Sequence, residues 1–490
     1  METNLERQTV FLQSALTESN PFLSTADCLA WMDKHRSRLR VHIKPVPFAG
    51  LSKWSTNPAT GNLEHDSGKF FSIAGINVQT NWGEVAEWDQ PVIHQPEIGF
   101  LGILTKRFGG VLYFLMQAKC EPGNLNVVQL SPTLQATKSN YTQVHQGSRP
   151  LYLDYFLEAK RHQVLFDQLQ SEQGARFLRK RNRNIIIEVQ DEVPVHDNYC
   201  WLTLGQLKRL LRLDNAVNMD TRTVISGISF GACDAAGMPA FLDQAFLEPV
   251  AEGFARELLI SAVTRDGARH NLEDILSWLA DLKARYDLVV ERIPLRQVRR
   301  WVRDERSIHH ETGQYFSVLA VEVEIEKREV TRWCQPIVKP AQEGLIAFIA
   351  RRVNGILHFL VQARIEPGNL DVFELAPTVQ CITGNYRMVP AEKRPPFLDY
   401  VLSARPEQVR YSALLSEEGG RFYHEQNRNL IIEAGEEFPV EVPENYLWMT
   451  WRQLNTMIKF NNYVNVEARS LLSTLSFLPP SANPPARAGA

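Results

Sequence analysis

The stretch QAKCEPGNLNVVQLSPTLQ at 117–135 occurs again as QARIEPGNLDVFELAPTVQ at 362–380, with no insertion or deletion between the two. The likeness is not local. The segment 65–188 overlays 310–433 without a gap, at a constant offset of 245 residues. Upstream, Trp31, Pro47 and Trp54 meet Trp278, Pro294 and Trp301, and downstream Trp201, Gln206, Asn218 and Arg222 meet Trp448, Gln453, Asn465 and Arg469. A repeat this long excludes a solenoid and makes the chain a tandem pair of whole domains. We place the first repeat at 20–224, a connecting segment rich in Gly, Ala and Ser at 225–262, and the second repeat at 263–475. A proline-rich tail at 476–490 has no periodicity and is expected to be disordered.

Each copy opens with a helix signal. Ser24 with Asp27 and Asn271 with Asp274 have the spacing of an N-cap and its third helical residue. Short β-rich runs follow, and the pairs Gly109-Gly110 and Asn354-Gly355 between apolar runs predict hairpins. A second helix is expected from 153 to about 180 and from 398 to 425. Compact strands NIIIEV and NLIIEA come next, and a last helix begins near Thr203 or Thr450. This pattern is α+β, with helices packed on an antiparallel or mixed sheet, twice.

The formal charge of -3 gives no global field for nucleic acid, so partners must be sought in local sites. The six cysteines show no C-x-x-C spacing and none aligns between copies, which points to reduced thiols in a cytoplasmic protein and to no metal cage. The N-terminal stretch lacks the pattern of a secretory signal, and no apolar window approaches membrane-spanning length. Phosphate-binding, dinucleotide, zincin and nucleophile-elbow motifs are absent from the sequence, so no cofactor is indicated.

The repeated EPGN turns the chain where an apolar strand ends. Glu121 and Asn124, or Glu366 and Asn369, then either face a ligand or cap their own turn. The phrases that follow supply hydroxyls, amides and a ring suited to a polyhydroxylated or heteroaromatic ligand. Arginines recurring at Arg176 and Arg421, Arg183 and Arg428, and Arg149 and Arg394 offer planar forks for phosphate oxygens. Differences between the copies bear on chemistry. The first has Tyr141, His145 and Lys119, where the second has a proline in place of His145 and Arg364 in place of Lys119. Histidine and lysine can exchange a proton near neutrality and arginine cannot, so the first copy is better equipped for proton transfer. His145 could equally be a hydrogen-bonded loop residue.

Together QAKCEPGN, SPTLQATKSNY, SEQGARFLRKRNRN and the duplicated VQARIEPGN with APTVQC resemble the NDP-hexose 2,3-dehydratases, which begin 2-deoxygenation of activated 6-deoxysugars in antibiotic pathways. The resemblance covers nearly the whole chain. It implies a substrate of the dTDP-4-keto-6-deoxyglucose type, a homodimer, a downstream ketoreductase, and halves resembling a Nudix hydrolase domain of α/β/α type. It also implies two nucleotide-sugar pockets, one of them a candidate remnant. In this reading His145 or Tyr141 transfers protons and Lys119 meets the ketone oxygen. Gln117, Glu121, Asn124, Thr133 and Gln135 would bind the sugar, and Arg149, Arg176 and Arg183 the diphosphate. The second pocket would use Gln362, Asn369, Thr378, Arg394, Arg421 and Arg428. Most carboxylates of a true Nudix box are missing around Glu172 and around Glu417 and Glu418, which argues against metal-dependent pyrophosphate hydrolysis. The rival readings are a non-catalytic nucleotide-sugar binder and a pyrophosphohydrolase.

Overall fold

The computed structural model describes residues 4–138, 149–234, 250, 252–326, 330–386 and 389–479. Both predicted N-caps form, with the Ser24 and Asn271 side chains accepting from the amides of Asp27 and Asp274. Both hairpins form as well. Strands Gly99–Phe108 and Val111–Cys120 are joined at Gly109-Gly110, and Gly344–Val353 and Ile356–Arg364 at Asn354-Gly355. All four turn residues have positive φ, as a two-residue hairpin turn requires.

Each copy carries a seven-stranded mixed sheet. In the first the path runs Val164–Ser171, Arg181–Glu188, Gly99–Phe108, Val111–Cys120, Tyr199–Thr203, with Arg181–Glu188 parallel to Gly99–Phe108 and the other pairs antiparallel. Two short strands, Val128–Ser131 and Leu134–Ala136, pair with the hairpin strands beyond the turn. The second copy repeats this arrangement.

The remaining strands do not stay within their own copies. Val41–Val46 of the first copy pairs antiparallel with Phe316–Ile325 of the second, and Leu288–Ile293 of the second pairs with Ser72–Thr80 of the first. Each of the two five-stranded sheets is therefore completed by the other copy. The exchange buries apolar surface, since Val41 and Ile43 pack against the core of Val321, Val323 and Ile325. Each fully buried side chain of this size contributes about 1.5–3 kcal/mol. The largest core is likewise shared, running from Phe114, Met116 and Ile186 to Phe348, Phe359 and Ile431.

Two buried arginines staple the halves. Helices Met219–Ile225 and Val466–Ser473 pack together. Arg222 Nε donates to Ser470 Oγ (2.8 Å), and its other nitrogens donate to the Val217 and Ser416 carbonyls. Arg469 mirrors it, donating to Thr223 Oγ1 (2.9 Å) and to the Val464 and Ser171 carbonyls.

Three sequence expectations are corrected. The long helices at 153–180 and 398–425 shrink to Leu153–Leu157 and Leu398–Leu402. Val164–Ser171 and Val409–Ser416 are instead strands, because their pairing with Arg181–Glu188 and Gln426–Glu433 outweighs local helix propensity. Helix Gly253–Val263, in the segment read as a connection, packs like its counterpart Asn4–Leu16. Ser14 and Ser261 make the same two bonds, to the carbonyls of Leu112 and Leu357 and from the amides of Leu204 and Trp451. Phe477, read as part of the tail, is buried with its ring 4.8 Å from that of Phe230. No helix among the described residues is long and apolar enough to cross a membrane.

Candidate active site

Each EPGN turn meets the other copy. The amide of Gly123 donates to the Gly419 carbonyl (2.7 Å) and the amide of His424 to the Gly123 carbonyl (2.9 Å). In the mirror arrangement Gly368 donates to Gly174 (2.7 Å) and Arg179 to Gly368 (2.8 Å). The backbones are so close that a Cβ on Gly123 would lie 1.6 Å from the Phe422 carbonyl oxygen, and one on Gly368 1.6 Å from that of Phe177. Only glycine fits these two positions. The asparagines are part of the same interlock, since a Cβ on Gly419 or Gly174 would lie 2.2 Å from Oδ1 of Asn124 or Asn369.

A polar cluster gathers behind the first turn. Lys119 Nζ lies 3.6 Å from Glu121 Oε1, which also accepts from Gln135 Nε2 (2.7 Å). Gln135 Oε1 accepts from Ser131 Oγ, which in turn accepts from Asn218 Nδ2, the N-cap of the helix bearing Asp220. Asp220 is almost fully buried, and its Oδ2, like Glu121 Oε2, has no hydrogen-bond partner among the described residues. Burial, with Glu418, Glu121 and Glu172 nearby, holds the Asp220 carboxyl well above the usual carboxylate range, against the pull of Lys119. Glu418 comes from the second copy. Burial pushes its carboxyl up to about 7, opposed by Arg421 and Lys180 and assisted by Glu172 and Glu121. Burial also lowers the pKa of Lys180. The cluster thus holds two carboxyls, Asp220 and Glu418, whose ionisation burial opposes, beside the close contact of Lys119 with Glu121.

The second turn has the same frame and different groups. Arg364 Nε donates to Glu366 Oε1 (3.1 Å), Gln380 Nε2 donates to the same oxygen (3.0 Å), and Asn465 Nδ2 donates to Gln380 Oε1 (2.9 Å). Glu467 stands where Asp220 stands, its carboxyl raised by burial and by Glu366 and Glu417. Gln173 replaces Glu418.

The structure brings together Lys119, Glu121, Asn124 and Gln135, and in the second copy Asn369 beside Glu366 and Gln380. It places Arg421 near Glu418 and Glu121, over the Phe71 ring (4.1 Å), and therefore beside the first copy's turn. Arg176 lies over the Phe316 ring (4.3 Å), beside the second copy. Thr133 and Thr378 are buried, and their hydroxyls accept from the Leu104 and Ile349 amides while donating to the Leu115 and Leu360 carbonyls. They tie strands together. Gln362 donates to the Pro377 carbonyl (3.0 Å). Arg183 forms a two-pronged pair with Asp167, and Arg149 and Arg394 pair with Asp154 and Asp399. Gln117 and Arg428 are half-buried strand residues, paired with Ser131 and with Leu345. Tyr141 and His145 lie outside the described residues. Sequence reasoning missed Asp220 and Glu418. The recurrence of an acid two residues after Asn218 and Asn465, on helices with no exposed face, was the available signal for Asp220.

The family model for NDP-hexose 2,3-dehydratase matches residues 25–228 and again 272–475, one match per copy. The chain belongs to the NDP-hexose 2,3-dehydratase family. Within the dehydratases it is 47% identical over 468 residues to a dTDP-4-dehydro-6-deoxy-alpha-D-glucopyranose 2,3-dehydratase of Saccharopolyspora spinosa, covering 96% of this chain and 94% of that relative. Proteins of the same description from Amycolatopsis orientalis and Streptomyces violaceoruber are 44% and 45% identical, over 94% and 93% of this chain and 92% and 98% of theirs. The two matches of the dehydratase model correspond to the two copies seen in the fold.

Proposed function

We propose that the chain removes water across C2 and C3 of an NDP-4-keto-6-deoxyhexose, with dTDP-4-keto-6-deoxy-D-glucose as the substrate. The observation that carries this reading is likeness along the whole length, both copies included, to relatives described as 2,3-dehydratases of that sugar nucleotide. The 4-ketone acidifies the C3 proton, because the enolate formed on its removal spreads charge onto the ketone oxygen. Expulsion of the C2 hydroxyl as water then leaves an enol at C3, which takes a proton at C2 to give the 3,4-diketo-2,6-dideoxy sugar. The elimination itself needs two proton transfers and an oxyanion, which positioned side chains can serve before the enol relaxes to the ketone.

In this reading Tyr141 or His145 takes the C3 proton, Lys119 stabilises the enolate oxygen, and Glu121 and Gln135 orient Lys119 and the sugar. Lys119 is supported by its place at the mouth of the first turn and its 3.6 Å contact with Glu121. Arg421 is the better candidate for a diphosphate contact than Arg183: its nitrogens donate to the neutral Gln95 amide oxygen (3.3 and 3.2 Å) and the Gly420 carbonyl (2.8 Å), whereas the Arg183 fork is neutralised by the Asp167 carboxylate. The family resemblance further supports Nudix-like halves, a cytoplasmic homodimer and transfer of the product to a ketoreductase.

Incubating the purified chain with dTDP-4-keto-6-deoxyglucose and trapping the product with an aromatic 1,2-diamine, which condenses with vicinal diketones, tests the reaction. The expected adduct has the mass of substrate less one water plus the diamine condensation. Intact substrate, or release of thymidine monophosphate, would defeat the reading. Tyr141→Phe and His145→Ala, assayed separately, test the proton-transfer assignment, which full activity in both would remove.

A further inference from the structure

The two sites differ most in what each receives from the opposite copy. Glu418 is half-buried, and its carboxylate accepts no hydrogen bond among the described residues. It lies against Gly420, where a Cβ would be 2.9 Å from Glu418 Oε1 and 3.9 Å from Glu121 Oε1. The missing side chain at Gly420 thus leaves room for two carboxylates of opposite copies to face one small space. The mirror site lacks this room. Ala175 stands where Gly420 stands and carries a methyl, and Gln173, in place of Glu418, turns away to donate to Glu417.

We propose that Glu418, carried by the second copy, is the acid that protonates the C2 hydroxyl as it leaves in the first copy's site. This rests on the dehydratase reading above. The Glu418 proton moves to the C2 oxygen as the C2–O bond breaks, the enolate electron pair closes the C2–C3 double bond, and water departs. Glu418 is left as a carboxylate and the base as its protonated form, and solvent resets both. Asp220, Glu121, Glu172, Lys180 and Arg421 surround the carboxyl and set its readiness to give the proton. The chemistry of the first copy's site thereby depends on a residue 297 positions along the chain from Glu121.

The test separates the two halves of the elimination in full-length protein. Glu418→Gln is assayed in deuterated water with dTDP-4-keto-6-deoxyglucose, following deuterium entry at C3 of recovered substrate and loss of water in parallel. Water loss is expected to fall 100-fold or more while C3 exchange and thymidine diphosphate binding persist. Undiminished water loss, or equal loss of exchange and elimination, overturns the proposal. If Glu418→Gln does not fold, Glu418→Asp decides: water loss slowed more than exchange supports the assignment, and equal slowing of both, or both rates at wild-type level, defeats it. Failure of the wild-type chain to release water would instead defeat the dehydratase reading itself.

Discussion

The turn at Glu121 and the turn at Glu366 are built from the same backbone and furnished with different chemistry. Both make two amide-to-carbonyl bonds across the copy boundary, and both press a glycine against the opposing copy. The side chains around them have diverged: Lys119 against Arg364, Asp220 against Glu467, Glu418 against Gln173, Gly420 against Ala175. Where main-chain contacts hold two lobes together, side chains at the junction can change without loosening it. A duplicated site can then keep its architecture while its reactivity drifts.

The strongest way to break the comparison is to disturb the interlock itself. Gly123→Ala and Gly368→Ala each put a methyl onto a carbonyl oxygen at a nominal 1.6 Å. Neither opposing backbone can retreat without breaking its own hydrogen bonds. Each variant should lose about 3 kcal/mol or more, read as a fall in Tm by calorimetry. A large loss in one and none in the other would show that the turns are not equivalent.

Activity should separate what stability does not. Lys119→Met should lower kcat about 100-fold, equivalent to about 2.7 kcal/mol of barrier. Arg364→Met, which removes the equivalent ion pair, should lower it less than about threefold, measured with dTDP-4-keto-6-deoxyglucose. Equal losses would mean that both sites turn over.

A smaller effect concerns Glu374, whose counterpart Gln129 is neutral. Each accepts a serine hydroxyl from the other copy, Ser171 to Glu374 (2.7 Å) and Ser416 to Gln129 (2.9 Å). Burial raises the Glu374 carboxyl from 4.5 to about 7. The folded chain therefore holds a proton there that the unfolded chain releases first, so this contribution to stability is fully present below about pH 4.5 and is lost as pH rises toward 7. Glu374→Gln should flatten the pH dependence of unfolding free energy between pH 5 and pH 8 by about 2–3 kcal/mol, read by denaturant melts across that range. The smallest effect is expected at Arg183→Ala. It removes a partly exposed pair with Asp167 (2.6 Å) and should cost at most about 1 kcal/mol, with KM unchanged.

Much of this molecule could be read without coordinates. The duplication, the caps at Ser24 and Asn271, and the hairpins at Gly109-Gly110 and Asn354-Gly355 follow from local chemistry and spacing. The interlock does not. In a chain repeating at constant offset, a turn that meets the loop of its own copy and one that meets the other copy's loop have identical sequence signatures, because each copy supplies both partners. For the same reason the sequence places Arg176 and Arg421 each in its own copy's pocket, whereas the structure sets each against the other copy. The 153–180 segment misleads differently. Its mixed polar and apolar pattern is compatible with a helix, and only the pairing of Val164–Ser171 with a strand ten residues further on decides otherwise. Asp220 is harder to read: it recurs as Glu467 two residues after the aligned asparagine, but an acid at the start of a short helix ordinarily faces water, and its burial is a property of the packing alone.

The strand exchange also constrains how the protein is made. Ser72–Thr80 must wait for Leu288–Ile293, whose first residue is synthesised 208 positions after Thr80. At roughly 5–20 residues per second, that edge stays open on the ribosome for about 10–40 s. During that interval a nascent first half offers its unsatisfied edge to any neighbouring copy, so slow translation or crowded polysomes should favour tangled chains over monomeric folding.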